Sequence, residues 1–517
     1  MTDLTSTLAA GYAFDGPALT FGAAMDGERS EPDVQVRVPL SMLNRHGLVA
    51  GATGTGKTKT LQVLAEQLSA AGVPVFISDI KGDISGLAAP AEPNDKLTSR
   101  AEQVGLADYQ PQAFPVEFFT LVREKPGVRL RASVHSFGPI LLAKELELNE
   151  TQQSVLALAF KYADDKRLPL INLADLRALL NHLDSDAGKA EMEEYGGVAT
   201  ATVGVMVRKI VELEQQDADA FFGAPEFDVA DLMRTTQAGA GVVSILELAD
   251  MQDRPALFST FMMWLLAKLY ESLPEIGDPE RPKLVFFFDE AHLLFRDANK
   301  TFLQQVELVA RLIRSKGIGV FFVTHAPSDV PAAVLTQLGN RVQHALRAFT
   351  PDDLEVVRAT ADTFPRTDLY KVDEVLTRLG IGEALVTALN PKGIPMPTAR
   401  TMMRPPASLM AQISPAQLDA VVAASPIAAE YLTDQDPMSA KEMLAAQLAP
   451  AEGQSGASER AGPTPGGARH RSTKPPEQGL DWGGLAEEGG RFVRSGTFNT
   501  ILRGVFGVLG VRSSRRR

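Results

Sequence analysis

The sequence predicts an α/β chain built on a mostly parallel central sheet with helices on both faces. Short, wholly apolar runs alternate with segments of helical period, the pattern of strands buried on both sides. A Gly-rich turn joins the first such strand to a helix, and an acidic pair closes a later one. Of 517 residues, 45% are hydrophobic and 22% charged, which excludes a wholly disordered or collagen-like chain. Length alone suggests roughly three domains. The absence of cysteine excludes disulfides, zinc–thiolate and iron–sulfur sites and cysteine nucleophiles, and suits a reducing cytosol.

In chain order, residues 1–40 form a short N-terminal segment with a strand pair at 19–23 and 34–38. Residues 41–145 make the first half of the core: a strand at 46–50, a turn, a helix over 59–70 that buries Leu61, Leu64 and Leu68, and a strand at 75–79. Residues 146–235 read as a helical insertion. There Leu156, Ala159, Phe160 and Ala163 recur at helical spacing, as do Leu173, Leu176, Leu179, Leu180 and Leu183. Residues 236–405 make the second half, with strands at 242–246, 284–288, 318–324, 342–346 and 384–389. The greasy stretch 256–266 is too short for a bilayer, which needs about 20 apolar residues, and reads as a buried helix.

A C-terminal helical extension, 406–450, follows. From Ala451 to Gly479 there is no Val, Ile, Leu, Met or aromatic residue, so 451–480 is expected to be a flexible, disordered linker. Residues 481–517 read as a basic amphipathic helix, with Phe498, Ile501, Leu502, Val505, Val508 and Leu509 on one face. Gly504, Gly507 and Gly510 weaken it by roughly 1 kcal/mol each, which favours ordering on contact. The expected contact is a membrane surface, nucleic acid, a partner groove, a neighbouring subunit or an acidic patch on the chain's own ATPase body, the alternative being no function.

The formal net charge is −13. Residues 491–517 carry seven arginines and no acid, leaving −20 on the other 490. An acidic body argues against a broad non-specific grip on nucleic acid, though not against a locally basic pore. The opening Met1-Thr2-Asp3-Leu4 carries an acid where a secretory signal has positive charge, so a cytoplasmic location is expected.

Chemistry enters at Gly51-Ala52-Thr53-Gly54-Thr55-Gly56-Lys57-Thr58, which fits G-x-x-x-x-G-K-[ST]. Glycines let the backbone bend so that successive N–H groups face phosphate oxygens, as Gly51, Thr53, Gly54, Thr55, Gly56 and Lys59 are expected to do. Lys57 reaches the β- and γ-phosphates, and the Thr58 hydroxyl ligates Mg²⁺. The following helix aims its positive end at the same anion.

The apolar strand Leu284-Val285-Phe286-Phe287-Phe288 ends in Asp289-Glu290-Ala291-His292. An acid at the C-terminal end of a parallel strand lies beside the phosphate loop, so Asp289 is the expected Mg²⁺ ligand. Glu290 then orients or deprotonates the attacking water, and His292 is expected to pack or to support the ligands from behind rather than to ligate. The letters DEAH also suggest a two-lobed RNA helicase, but no Q-x-x-G-R-x-G-R element occurs. Asp79 and Asp83 either approach the metal or cap a turn. His325, after Thr324, is a candidate γ-phosphate sensor. One of Arg311, Arg314 and Arg341, with Arg314 first, is the candidate finger supplied in trans.

The runs HGLVAGATGTGKT, SDIKGDISG, LNETQQSVLALAFKYADD, LVFFFDEAHLLF, ARLIRSKGIGV and QLGNRVQHALRAFTP resemble the bacterial HerA-like ATPases of the YjgR type, allied to the HerA and FtsK translocases. The resemblance spans about residues 15–445. It implies a RecA-like P-loop core, Mg²⁺-dependent ATP hydrolysis and a ring, typically of six subunits, with DNA as a possible substrate. Where the family usually has Thr-Gln, this chain has Thr324-His325. The N-terminal region is too short for the barrel by which HerA engages a nuclease. A reading from another class is an ATP-gated scaffold that binds protein or membrane partners without translocating nucleic acid.

Overall fold

The computed structural model describes residues 4–448 except 124, 216–219, 249–254 and 296–299. The linker and basic tail expected from 451 onward lie outside the described residues. The chain divides into two units, Met1–Ala446 and Gln447–Arg517, and the whole of the sheet belongs to the first.

Twelve strands form one sheet: β1 (Ala18–Asp26), β2 (Arg29–Pro39), β3 (Gly47–Ala50), β4 (Val75–Asp79), β5 (Val116–Thr120), β6 (Val128–Arg129), β7 (Val243–Glu247), β8 (Leu284–Phe288), β9 (Ile318–Thr324), β10 (Asn340–Gln343), β11 (Glu383–Thr387) and β12 (Ala399–Met403). Their order is β2-β1-β12-β11-β10-β3-β9-β8-β4-β7-β5-β6. From β10 to β6 every pairing is parallel; from β10 back to β2 every pairing is antiparallel. The early strand pair therefore extends the core sheet through β12. The expected strand at 342–346 is instead Asn340–Gln343, because β3, against which it pairs, ends at Ala50, and the chain beyond bonds the following loop through the Ala345 carbonyl. β5, β6 and β12 were not expected from sequence.

Alternation along the central strands divides the core in two. Leu48, Phe76, Phe119, Phe286, Phe288 and Phe322 face one side, where they join the helices of the insertion. Val49, Ile77, Phe118, Val285, Phe287 and Val323 face the other, against Leu61, Leu64 and Leu68. These leucines belong to a helix running Lys57–Ala70, two residues longer at its start than expected.

On the first side lie helices Val134–Glu145, Glu150–Lys166, Leu173–Asp184, Asp186–Met192 and Thr200–Gln215. Asn149 and Asn172 cap two of them through reciprocal capping boxes, which satisfy amide groups that a helix start leaves open. The greasy stretch becomes helix Pro255–Ser272, with Phe261, Trp264, Leu265 and Leu269 buried. Among the described residues no helix is long and apolar enough to cross a membrane.

Candidate functional site

The site is assembled at the C-terminal edge of the parallel strands. β3 lies against β9, and β9 against β8. The loop leaving β3 and the acids leaving β8 are thus about 10 Å apart, two strand spacings.

Backbone bonds fix the Gly51–Thr58 loop to its neighbours. Gly51 N–H donates to the carbonyls of Thr324 and His325 (3.2 and 3.0 Å), Ala52 N–H to that of Ala345 (2.8 Å), and Gly382 N–H to that of Thr55 (3.0 Å). Gly54 and Gly56 take φ of 76° and 121°, a region costly for any side chain. A Cβ on Gly51 would stand 2.5 Å from that of His344. The Lys57 ammonium, buried, donates to the Gly51 and Ala52 carbonyls (2.7 and 3.3 Å). Burial lowers its pKa, with Glu290 and Asp289 acting in the other direction. Thr58 is half-buried beside it, and Thr53 and Gly54 form the exposed tip. The Lys59 ammonium turns aside to the Met410 carbonyl (2.7 Å) and Gln62 (3.0 Å).

His344 sits beneath this loop. Thr60 Oγ1 lies 2.9 Å from its Nε2, and its Nδ1 lies 2.8 Å from the Glu383 carbonyl. Burial pushes it down to about 4, so it is neutral near pH 7.

Across the crevice, Asp289 is 1% exposed and its Oδ2 has no hydrogen-bond partner among the described residues. Burial, and then Glu290, push it up to about 7. Asp79, Asp83 and Asp289 bring one carboxylate oxygen each within 4.8 Å of one another. Asp79 also accepts from the backbone N–H groups of Lys81, Gly82 and Ile84 (3.1, 2.7 and 2.9 Å), the turn-capping arrangement. An orphaned buried carboxylate oxygen beside other hard oxygen donors fits a divalent cation such as Mg²⁺.

Glu290 takes φ of 48°, which is rare for a residue with a Cβ and marks a conformation held by its surroundings. Its carboxylate is bonded by the Lys81 ammonium and lies 3.2 Å from both His292 Nδ1 and His325 Nε2. Burial raises its pKa, but Lys81 and then the two histidines outweigh this and leave it lowered. Asp329 Oδ2 ties the strand end together, accepting from Thr324 Oγ1 (2.8 Å) and from the His325 and Ala326 N–H groups.

Sequence reasoning named Glu290 and His325 but missed Lys81; His292, expected to pack or to stand behind the ligands, contacts Glu290. The available signal was position: Lys81 follows the end of β4, the strand that pairs with β8. His344 was missed because its place under the loop depends on the pairing of β10 with β3, which no local pattern shows. The arginines lie elsewhere. Arg314 precedes the start of β9 and pairs with Asp278 (3.4 Å), at the sheet edge opposite the loop. Arg341, at the start of β10, donates to the Thr363 carbonyl (2.6 Å). Arg311 is exposed on helix Lys300–Ile313. None of the three meets the phosphate loop of its own chain.

Among curated proteins the chain is similar to the DNA double-strand break repair helicase HerA of Sulfolobus acidocaldarius. The two are 21% identical over 366 residues, covering 68% of this chain and 64% of the relative. For the protein of the same name from Sulfurisphaera tokodaii the values are 23% over 379 residues, 71% and 66%. The chain thus spans less than two thirds of the length of these relatives. Among solved structures it is similar to the bacterial conjugative coupling protein TrwBdeltaN70 (TM-score 0.49, 15% identity, 78% of this chain and 100% of that one). VirB4 of Thermoanaerobacter pseudethanolicus gives 0.49 and 14%, over 78% and 99%. The family model described as "Helicase HerA-like C-terminal" matches residues 25–515, nearly the whole chain. The chain belongs to this HerA-like helicase C-terminal family.

Proposed function

We propose that this protein is a Mg²⁺-dependent ATP hydrolase of the HerA/FtsK class that assembles as a ring, six subunits being expected, and works on DNA in the cytoplasm. The observation that carries the reading is the pair Asp289–Glu290, set at the end of β8 two strands from the Gly51–Thr58 loop. Backbone N–H groups of Gly51, Thr53, Gly54, Thr55, Gly56 and Lys59 wrap the triphosphate, and Lys57 neutralises its β- and γ-groups. Thr58 and Asp289 hold the cation, with Asp79 and Asp83 behind them. Held there, Mg²⁺ would supply Lewis-acid stabilisation of the phosphate oxygens. Glu290 takes the proton of the attacking water, and the lowered pKa keeps it ready as a base.

His325 joins this base to the Thr324 strand end, a route by which loss of the γ-phosphate is felt along β9. The finger arginine is supplied by a neighbouring subunit, with Arg311, Arg314 and Arg341 as candidates, and the basic tail contacts that neighbour or a membrane surface. Lys57→Ala is expected to abolish turnover, and Glu290→Gln to bind ATP without hydrolysing it. Normal turnover by Glu290→Gln sinks the reading.

A DNA-independent ATP switch is the second reading, favoured by the −20 charge of residues 1–490. Turnover stimulated by DNA and falling with salt decides for the motor; turnover indifferent to DNA decides for the switch.

A further inference from the structure

Two neighbouring strand ends bring a carboxylate and two imidazoles to one point. β8 and β9 pair in parallel; Glu290 and His292 follow the first, and His325 follows the second. The two carboxylate oxygens of Glu290 serve different partners. Oε1 takes the Lys81 ammonium, while Oε2 lies 3.2 Å from His292 Nδ1 and 3.2 Å from His325 Nε2. Glu290 is 5% exposed, yet its Oε2 has no hydrogen-bond partner among the described residues. A buried acceptor in this position is costly unless something else meets it.

Oε2 and a ring nitrogen from each histidine all lie within 4.8 Å of one another. Bonds of about 2.0–2.1 Å to a tetrahedral cation set its ligand atoms about 3.3 Å apart. Both O···N separations already match that edge. The His325 side chain is 43% exposed, so its ring is free to turn and close the third edge, which leaves a fourth position to water. Its backbone is held meanwhile, because Asp329 accepts from the Thr324 hydroxyl and the His325 N–H. Two imidazoles and one carboxylate suit Zn²⁺, whereas Mg²⁺ prefers oxygen donors such as Asp79, Asp83 and Asp289. Asp289 and Asp83 also act on the Lys81 charge, so this lysine on Oε1 does not bar a cation from Oε2.

We propose that Glu290, His292 and His325 form a binding site for a borderline-soft divalent cation, Zn²⁺, and that the bound cation switches hydrolysis off. The inhibitory half rests on the proposed role of Glu290 as base. Zn²⁺ takes the Oε2 lone pair that otherwise accepts the proton of water, and Oε1 is already held by Lys81. Nucleotide binding, which depends on the Gly51–Thr58 loop, is left intact.

The test is the visible absorption of Co²⁺, standing in for Zn²⁺, added to the full chain with ADP and Mg²⁺ saturating. Wild type is expected to show the intense bands of four-coordinate Co²⁺, and Zn²⁺ to abolish them. His292→Gln and His325→Gln should each lose the bands and bind Zn²⁺ about tenfold more weakly or worse, with far-ultraviolet circular dichroism unchanged. His135→Gln, an exposed change on helix Val134–Glu145, should keep them. In turnover assays with excess Mg²⁺, micromolar Zn²⁺ should lower wild-type kcat about 100-fold, reversibly by chelation and with ATP affinity kept. Whatever turnover His325→Gln retains should not fall. Absence of the bands from wild type, or their survival in both histidine variants, overturns the site. Zn²⁺ that binds through these histidines and leaves kcat unchanged overturns the inhibition. A chain that shows the bands but hydrolyses no ATP without Zn²⁺ overturns the hydrolase reading, and the inhibitory role with it, but upholds the cation site.

Discussion

Lys81 places its ammonium on the carboxylate of Glu290, joining the loop after β4 to the end of β8. Burial alone would lower the lysine's pKa; the bond to Glu290 and the nearby acids outweigh it and leave it raised. Around this pair stand Asp79, Asp83 and Asp289, so Lys81 answers much of the local negative charge before a triphosphate arrives.

Lys81→Met is therefore expected to lower kcat/KM for ATP by about 10- to 100-fold, the value of one hydrogen bond between charged groups. KM should rise as well as kcat fall, because the unscreened acids repel the substrate. Steady-state kinetics beside an equilibrium nucleotide titration check this; wild-type kinetics in the variant would remove Lys81 from the site.

Gly51→Ala sets a Cβ 2.5 Å from His344 Cβ, in contact with a buried ring that has no room to retreat. Overpacking of this kind costs about 1–3 kcal/mol. The expected outcome is a lower Tm together with loss of the Tm rise that nucleotide gives to the parent protein. Differential scanning fluorimetry with and without ATP reads both.

His46 and His344 make stability depend on pH. His46 Nε2 bonds the Ala310 carbonyl at 2.6 Å while its Nδ1 accepts from the Val320 N–H at 3.0 Å, an arrangement only the neutral ring can make. Burial pushes both histidines down to about 4, against 6.5 for the free side chain. Below about pH 6.5 the unfolded chain binds the extra protons, so their contribution is full above that pH and is lost as pH falls towards 4. Together they give a slope of up to about 3 kcal/mol per pH unit. Asp79 and Asp289, raised to about 6 and about 7 chiefly by burial, bend the profile the other way. The quantity to measure is thus the difference in urea midpoint between wild type and His46→Gln at pH 7 and pH 5. That difference should shift in favour of the variant at the lower pH.

Phe221 joins the helical layer to the sheet. Its ring packs edge-on against Phe137, Phe222, Phe261 and Trp264, with centroids 5.6, 4.9, 5.2 and 6.2 Å away. Phe221→Ala is expected to destabilise the protein by about 3–5 kcal/mol. Chemical denaturation measures this, and a loss below about 1 kcal/mol would show that the helical layer does not depend on this cluster.

Much of the candidate site was legible in the chain itself. The Gly51–Thr58 spacing and the apolar run ending at Asp289 are local patterns, because a strand, a tight turn and a helix start each arise from a few adjacent residues. The same holds for the central strands, whose wholly apolar runs can only be buried on both faces. What the sequence could not supply was adjacency between distant segments. That Lys81 meets Glu290 and that His344 underlies Gly51 both depend on strand order, which no local pattern encodes. Arg314 and Arg341 lie at the starting ends of their strands, away from the Gly51–Thr58 loop of their own chain, a position that strand direction alone sets. A sheet brings together the ends of strands rather than neighbours in sequence, so residue types were readable along the chain and their partnerships were decided by the tertiary fold.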